Sequence, residues 1–281
     1  MVITGAGGQV GRILAVQAAC HGFQVAALGH AEVDITDPAA VAGHVAGGDL
    51  VVNCAAFTNV DAAEADPRGA HAANAEGPGV IARRCAQVGA RMIHISTDCV
   101  FSGRNRDRPY EVDDVAEPVS VYGRTKLDGE HAVLAALPGA HVVRTCWVYT
   151  GTDGTDFVAV MRRLAADGDR VVDVVDDQTG SPTYSHDLVG ALLEIAGKDI
   201  RPGILHVANA GVVNRYEQAR AVFAELGADP ARVRPIPTAA AGRPAARPAY
   251  AALSMAASVR AGLTPLRGWR EALAAALAEP L

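Results

Sequence analysis

The sequence has no long basic run, and its formal net charge is −6. Nucleic acid and anionic membrane surfaces, which attract clustered Lys and Arg, are therefore not expected as partners. It also lacks a long apolar run. Half of its 281 residues are hydrophobic, yet each apolar stretch is short and broken by charge or glycine, far from the ~20 residues of a membrane helix. No signal peptide is expected ahead of the first strand, because MVITGAGG enters the fold at once. So abrupt a start suggests that a few native residues are missing. No CxxC pair occurs among Cys20, Cys54, Cys85, Cys99 and Cys146. Their number is odd, and Cys54 and Cys146 sit inside apolar strand-like runs, so a reduced, cytoplasmic protein is expected. His and Cys never fall at ligand spacing, which argues against a metal site. There is no internal repeat, and the abundance of alanine reads as bias of the coding genome.

What is present is a rhythm. Short apolar runs at 2–4, 25–28, 50–55, 92–97 and 141–149 alternate with helical patterns at 10–20, 38–46, 68–89 and 120–137. Strand and helix alternating at this spacing predict a parallel sheet with right-handed crossovers. Continuous rather than alternating apolar strands predict a sheet covered on both faces. The fold class is α/β, a Rossmann-type doubly wound parallel sheet, with residues 1–150 as the dinucleotide-binding part and a returning segment near 185–200. Beyond 150 the rhythm changes: strand-like runs at 171–177, 204–209 and 233–238 are separated by helical patterns near 155–167, 187–197 and 214–226. Residues 151–281 are read mainly as a smaller, substrate-binding lobe. The Pro- and Arg-rich 239–252 segment is expected to be extended.

The stretch ITGAGGQVGRIL places Gly5, Gly8 and Gly11 in a GxxGxxG pattern, directly after the first strand and at the opening of the first helix. A dinucleotide pyrophosphate needs that arrangement: one glycine for the tight turn, one for backbone N–H groups to approach the phosphates, one for the helix to pack on the strand. An acid at the end of the second strand would bind a ribose hydroxyl and an arginine there would suit a 2′-phosphate. Gly29 and His30 stand in that place, so NADPH and NADH both remain open, with the missing acid favouring NADPH. Further along, Tyr122 and Lys126 lie four residues apart and so on one helical face. An ammonium near a phenol is expected to lower its pKa toward the working range. Ser96 and Thr97 fall at the carboxyl edge of the fourth strand, where open α/β sheets bind ligands, and a hydroxyl there can donate to a substrate carbonyl.

GxxGxxG, IHISTD and YGRTK in this order resemble the extended short-chain dehydrogenase/reductase superfamily. GAGGQVG, VNCAAFTNVDAAE, IHISTDCVFSG, VYGRTKLDGE, RTCWVY and DDQTGSPT together resemble the dTDP-4-dehydrorhamnose reductase family over most of the chain, more loosely in the final third. The resemblance implies reduction of the 4-keto group of a dTDP-4-keto-6-deoxysugar by NADPH or NADH. Catalysis would fall to Thr97, Tyr122 and Lys126, with Lys126 also holding the nicotinamide ribose. The implied cofactor-binding residues are Gly5, Gly8, Gln9, Val10, Gly11, Asp34, Ile35, Ala55, Ala56 and Thr58, with Tyr122 and Lys126. The implied substrate-binding residues are Thr97, Asp98, Trp147 and Arg247. Plainer readings stand beside these: Trp147 as core, Ala55 and Ala56 as strand packing, Arg243 and Arg247 as solvated loop arginines.

The chain departs from the family pattern at Cys99, usually Tyr, at Asp156, commonly Asn, and at Ala251, usually Ser. These departures put the sugar in doubt more than the reaction. Ile13 replaces the Glu of members that dimerise around magnesium, so no metal is expected and the chain should be a monomer or weak homodimer. A 4,6-dehydratase would carry Asp-Glu after the Thr, where this chain has Asp98 and Cys99. An epimerase, another nucleotide-deoxysugar reductase, and a non-catalytic NADP-binding regulatory subunit remain as alternatives.

Overall fold

The computed structural model describes residues 1–104, 107–152 and 154–279. The first half supplies β1 (Val2–Thr4), α1 (Gln9–Cys20), β2 (Ala26–Leu28), α2 (Pro38–His44), β3 (Leu50–Asn53), α3 (Val60–Ala65), α4 (Pro67–His71), a π-helical stretch (Ala72–Glu76), α5 (Gly77–Val88), β4 (Arg91–Thr97), α6 (Val121–Ala136) and β5 (His141–Thr145). The second half supplies β6 (Val148–Tyr149), α7 (Phe157–Ala166), β7 (Val172–Val175), β8 (Thr179–Gly180), β9 (Thr183–Tyr184), α8 (Ser185–Gly197), β10 (Gly203–His206), β11 (Val213–Asn214), α9 (Arg215–Glu225), β12 (Val233–Ile236), α10 (Ala256–Arg260) and α11 (Trp269–Ala278).

Six strands form a parallel sheet in the order β2-β1-β3-β4-β5-β10. Chain direction across the sheet reverses at β1, which puts the switch point at the carboxyl ends of β1 and β3, where such sheets bind ligands. Successive strand residues serve opposite faces. Ile3, Val52, Ile93 and Val143 pack with Leu14 of α1 and Leu188 and Leu192 of α8. Their neighbours Val2, Val51, Met92 and Val142 pack with Ile81 of α5 and Val133 of α6. Both faces are covered, which is why apolar residues follow one another in these strands instead of alternating. Each such side chain contributes roughly 1.5–3 kcal/mol by its burial.

A separate core joins Val158, Val222, Phe223, Leu273 and Trp269 with Tyr149 and Tyr184, and three two-stranded sheets, β7 with β12, β8 with β11 and β6 with β9, border it. β10, the amino end of the run at 204–209, is not part of this second body. It pairs with β5 at the edge of the main sheet, so the chain returns there through both α8 and β10.

Two long elements expected from the pattern are divided. The run at 141–149 breaks between β5 and β6, where Trp147 has φ of 48°. The helix at 68–89 becomes α4, the π-helical stretch and α5. Pro78 has no N–H for the carbonyl four residues back, and the backbone widens just before it. Unforeseen from the pattern, α3 begins at Asn59, whose side chain accepts from the N–H groups of Asp61 and Ala62 at 3.1 and 2.9 Å.

Candidate active site

The Gly-rich turn is shaped by what a side chain would strike. Gly5 has φ of +68°, and a Cβ on it would lie 2.5 Å from the Ala55 nitrogen. A Cβ on Gly11 would lie 2.4 Å from the Gly5 carbonyl oxygen. These two are closed by backbone, so only glycine fits. Gly8 is different: the nearest atom to its Cβ is the Gly5 oxygen at 3.3 Å, and Gly8 faces a cleft of about 770 Å³. No side chain caps the start of α1, so its first N–H groups are left for an anion. The turn and the cleft fit a dinucleotide on these grounds.

Gly5, Gly8, Gln9, Val10 and Gly11 line the near end of that cleft. Asp34 and Ile35 line it beside Gly29 and His30. Asp34 is held by an N–H and a hydroxyl of Thr36, at 2.9 and 2.7 Å, and these bonds hold its carboxyl below the usual range. Ala55, Ala56 and Thr58 line the middle. The far end is lined by Thr97, Asp98, Tyr122, Lys126 and Trp147. Of the residues implied for the site, Arg247 alone lies outside this cleft, on a neighbouring cavity of about 310 Å³ lined by Arg243 as well.

The reacting end is set by α6. Ser120 caps it, accepting from the Gly123 N–H at 3.1 Å. A Cβ on Gly123 would lie 2.2 Å from the Cys99 carbonyl oxygen, and one on Gly129 would lie 2.0 Å from that of Asn74. These two glycines let α6 seat directly on the turn after β4 and on the π-helical stretch. That close seating brings Tyr122 beside Thr97 at the far end of the cleft. Thr97 also donates to Asp98 Oδ1 at 2.9 Å and accepts from the Cys99 N–H at 3.2 Å. Ser96 points the other way and donates to Glu130, which Arg144 grips at 2.9 and 2.7 Å. Its hydroxyl is therefore committed, and Thr97 is the strand-end hydroxyl that remains.

The electrostatics differ from the sequence expectation. Burial pushes the Tyr122 phenol up, as do Cys99 and Asp98, and the neighbouring Thr97 hydroxyl only partly opposes them. Lys126 does not lower it. The Lys126 ammonium turns into the protein, donating to the Ile95 carbonyl at 2.7 Å with His94 Nε2 at 3.5 Å. Burial brings its own pKa down to about 8, against the charge of Glu130. Burial likewise raises Asp98, although Cys146 and Thr97 hydrogen-bond to it.

At the far end of the cleft, the Trp147 ring lies against Gly180, where a Cβ would fall 2.7 Å from a ring carbon. The Arg215 guanidinium stacks on its other side, 3.6 Å from the ring centroid, and lies 4.6 Å from that of Phe157. Trp147 thus both lines the cleft and is packed on its flanks. Arg247 is mostly covered and pairs with Asp61 at 2.9 Å, while Arg243, largely exposed, reaches the same carboxylate at 3.4 Å. Of the three departures, Cys99 stands beside Tyr122 and Thr97. Asp156 lines neither cavity. It caps α7 through the Ala159 N–H at 2.9 Å and holds the Thr150 N–H and hydroxyl at 3.0 and 2.8 Å. Ala251 is buried and donates its N–H to the Thr179 carbonyl at 2.8 Å. Ile13 packs against the first core. Sequence reasoning missed Arg215, Gly123, Gly129, Asn53 and His94. The last two carried a signal, being polar residues inside strands apolar on both faces.

Among the described residues no cluster of His, Cys, Asp or Glu could hold a metal, and no helix is long and apolar enough to cross a membrane.

The whole chain, residues 1–281, matches the family model described as the RmlD substrate binding domain. It is 62% identical over 99% of its length to the dTDP-4-dehydrorhamnose reductase of Mycolicibacterium smegmatis, covering 85% of that protein. It is 59% identical over its full length to the enzyme of the same name from Mycobacterium tuberculosis, covering 93% of it. A crystal structure of dTDP-4-dehydrorhamnose reductase from Bacillus anthracis in complex with NADP superposes with a TM-score of 0.90 at 32% identity, over 97% of this chain and 96% of that one.

Proposed function

Because the chain belongs to the dTDP-4-dehydrorhamnose reductase family, we propose that it reduces the 4-keto group of dTDP-4-dehydrorhamnose to give dTDP-L-rhamnose, with NADPH favoured over NADH. The observation that carries this reading is that Thr97, Tyr122 and Lys126 meet at the end of a cleft whose other end is the Gly-rich turn. The reduced dinucleotide supplies the hydride when bound. Gly8 and the open N-terminus of α1 hold its pyrophosphate, Ala55, Ala56 and Thr58 flank its middle, and Asp34 and Ile35 meet its adenosine end. His30 lines that end beside Gly29, and neither of these residues after the second strand is a carboxylate that would exclude a 2′-phosphate.

Thr97 fixes the substrate oxygen and Tyr122 gives it a proton. The phenol is protonated at neutral pH and so can donate, while its burial moves its pKa away from the working range rather than toward it. Lys126 holds the ribose side, Asp98 and Trp147 border the sugar, and Arg247, with its neighbouring cavity, takes the diphosphate. We read residues 1–150 together with α8 and β10 as the dinucleotide part and the rest as the sugar-nucleotide part. We also place the protein in the cytoplasm, as a monomer or weak homodimer, its five cysteines being free.

A second reading, reduction of another dTDP-4-keto-6-deoxysugar, is favoured by Cys99, which sits beside the reacting hydroxyls in place of the family's usual Tyr. The test is loss of nicotinamide absorbance with NADPH, then NADH, on enzymatically prepared dTDP-4-dehydrorhamnose. Rapid oxidation supports the first reading. Tight dinucleotide binding with oxidation only on a different keto-sugar supports the second, and binding without turnover on any keto-sugar overturns both in favour of a regulatory role.

A further inference from the structure

Lys126 is 2% exposed and among the described residues pairs with no carboxylate; Glu130, the nearest acid acting on it, is committed to Arg144 and Ser96. What meets its amine is set three residues away through the sheet. The Ala55 N–H and the Thr4 hydroxyl both donate to Asn53 Oδ1, at 3.1 and 2.7 Å. A backbone N–H can only donate, so that atom is the amide oxygen and the other is Nδ2. Nδ2 lies 3.0 Å from His94 Nδ1 and must donate to it. His94 is fully buried, and burial first, then Lys126, holds its pKa well below the usual value. It is neutral, with Nδ1 accepting, so its proton sits on Nε2. That N–H points at Lys126 Nζ, 3.5 Å away. Against an ammonium, two donors would face each other. Against an amine, Nε2–H donates to the nitrogen lone pair while Nζ still donates to the Ile95 carbonyl at 2.7 Å.

We propose that His94 is a positioning residue of the active site: Asn53 locks it as the Nε2–H tautomer, and in that form it keeps Lys126 able to exchange between ammonium and amine rather than standing as a fixed cation. The other groups acting on Lys126 do not change the sign. Glu130 on α6 favours the ammonium, and the Cys54 thiol after β3, pushed up to about 12 by burial, stays uncharged at neutral pH and adds nothing there. The consequence for turnover rests on the reductase reading; the titration of Lys126 does not.

The chain has two lysines, Lys126 and Lys198, so lysine labelled with ¹³C at Cε gives two signals, assigned with Lys198→Arg. The expected midpoint for Lys126 is about 8. His94→Phe removes the facing donor and should raise it by about one pH unit or more. Asn53→Asp draws the ring proton to Nδ1, so that Nε2 accepts from the ammonium, and should also raise it; in the His94→Phe background that effect should shrink. An unchanged or lower midpoint in His94→Phe overturns the proposal. So does an Asn53→Asp shift of equal size with and without His94, which would be charge acting through space. If His94→Phe does not fold, ¹⁵N-histidine spectra of the unaltered protein decide: a proton on Nδ1 of His94 overturns the proposal and a proton on Nε2 upholds it.

Discussion

The two walls of the cleft are built in opposite ways. The dinucleotide wall is backbone, with Gly5, Gly8 and Gly11 in one short turn and nothing but main chain behind two of them. The far wall is side chain: Trp147 lines it and packs on Gly180, with Arg215 stacked on its ring and Phe157 beside Arg215. The first wall is therefore broken by adding atoms and the second by removing them. Tyr122 and Thr97 stand at the seam. A change at the seam should leave both walls intact and still abolish the chemistry.

That is the largest effect expected. Tyr122→Phe keeps the ring and loses the proton donor, so turnover should fall on the order of a hundredfold or more, with dinucleotide affinity unchanged in a fluorescence titration. Retained turnover would remove Tyr122 from the role of acid. Next come additions to the backbone wall. Gly8→Leu should weaken dinucleotide binding about tenfold or more, yet leave thermal stability nearly unaltered, because its Cβ meets only one atom, at 3.3 Å. Gly5→Ala should weaken binding and also destabilise the fold by ~2 kcal/mol or more, from a left-handed residue forced against the Ala55 backbone. Equal melting temperatures for the two variants would show that the turn is looser than its packing implies.

Removal from the other wall should act more mildly. Arg215→Met keeps volume and deletes the cation that stacks on Trp147. Cation–π contacts of this kind are worth ~0.5–2 kcal/mol, so the KM for the sugar nucleotide should rise roughly 2- to 30-fold with the dinucleotide Kd unmoved. A parallel rise in both constants would mean that the walls are one unit.

The same contrast explains what could be read from the sequence. The first wall is local, and β1 through β5 are covered on both faces, so GxxGxxG and the apolar runs announce themselves. The far wall is not local. HVVRTCWVY reads as one strand, and nothing within it marks the break at Trp147; the φ of 48° is held by contacts with Gly180 and Arg215, far along the chain. β10 reads like any other strand of the second half, and only its pairing with β5 gives it to the main sheet. The spacing of Tyr122 and Lys126 correctly put both on the cleft. The direction of the tyrosine's pKa could not be read, because it is decided by burial and by Cys99 and Asp98, while the lysine's partners are His94 and Ile95 on a neighbouring strand.

The smallest effect at neutral pH is the most discriminating across the alkaline range. Lys126 has its pKa brought down from 10.5 to about 8, with burial the chief cause, whereas Tyr122 is raised. Any alkaline limb in kcat/KM should therefore centre near about 8 and belong to the lysine, not the phenol. The stability consequence has the opposite sign. A lysine whose folded pKa lies below its unfolded one carries a cost that is fully present below about 8. That cost is relieved as pH rises toward 10.5, since across that interval the unfolded chain binds the proton and the folded one does not. The melting temperature of the protein, referred to Lys126→Met at each pH, should thus rise over the interval in which activity falls. If both fall together, the limb reports unfolding, and Lys126 is neither the titrating group nor the link between the two walls.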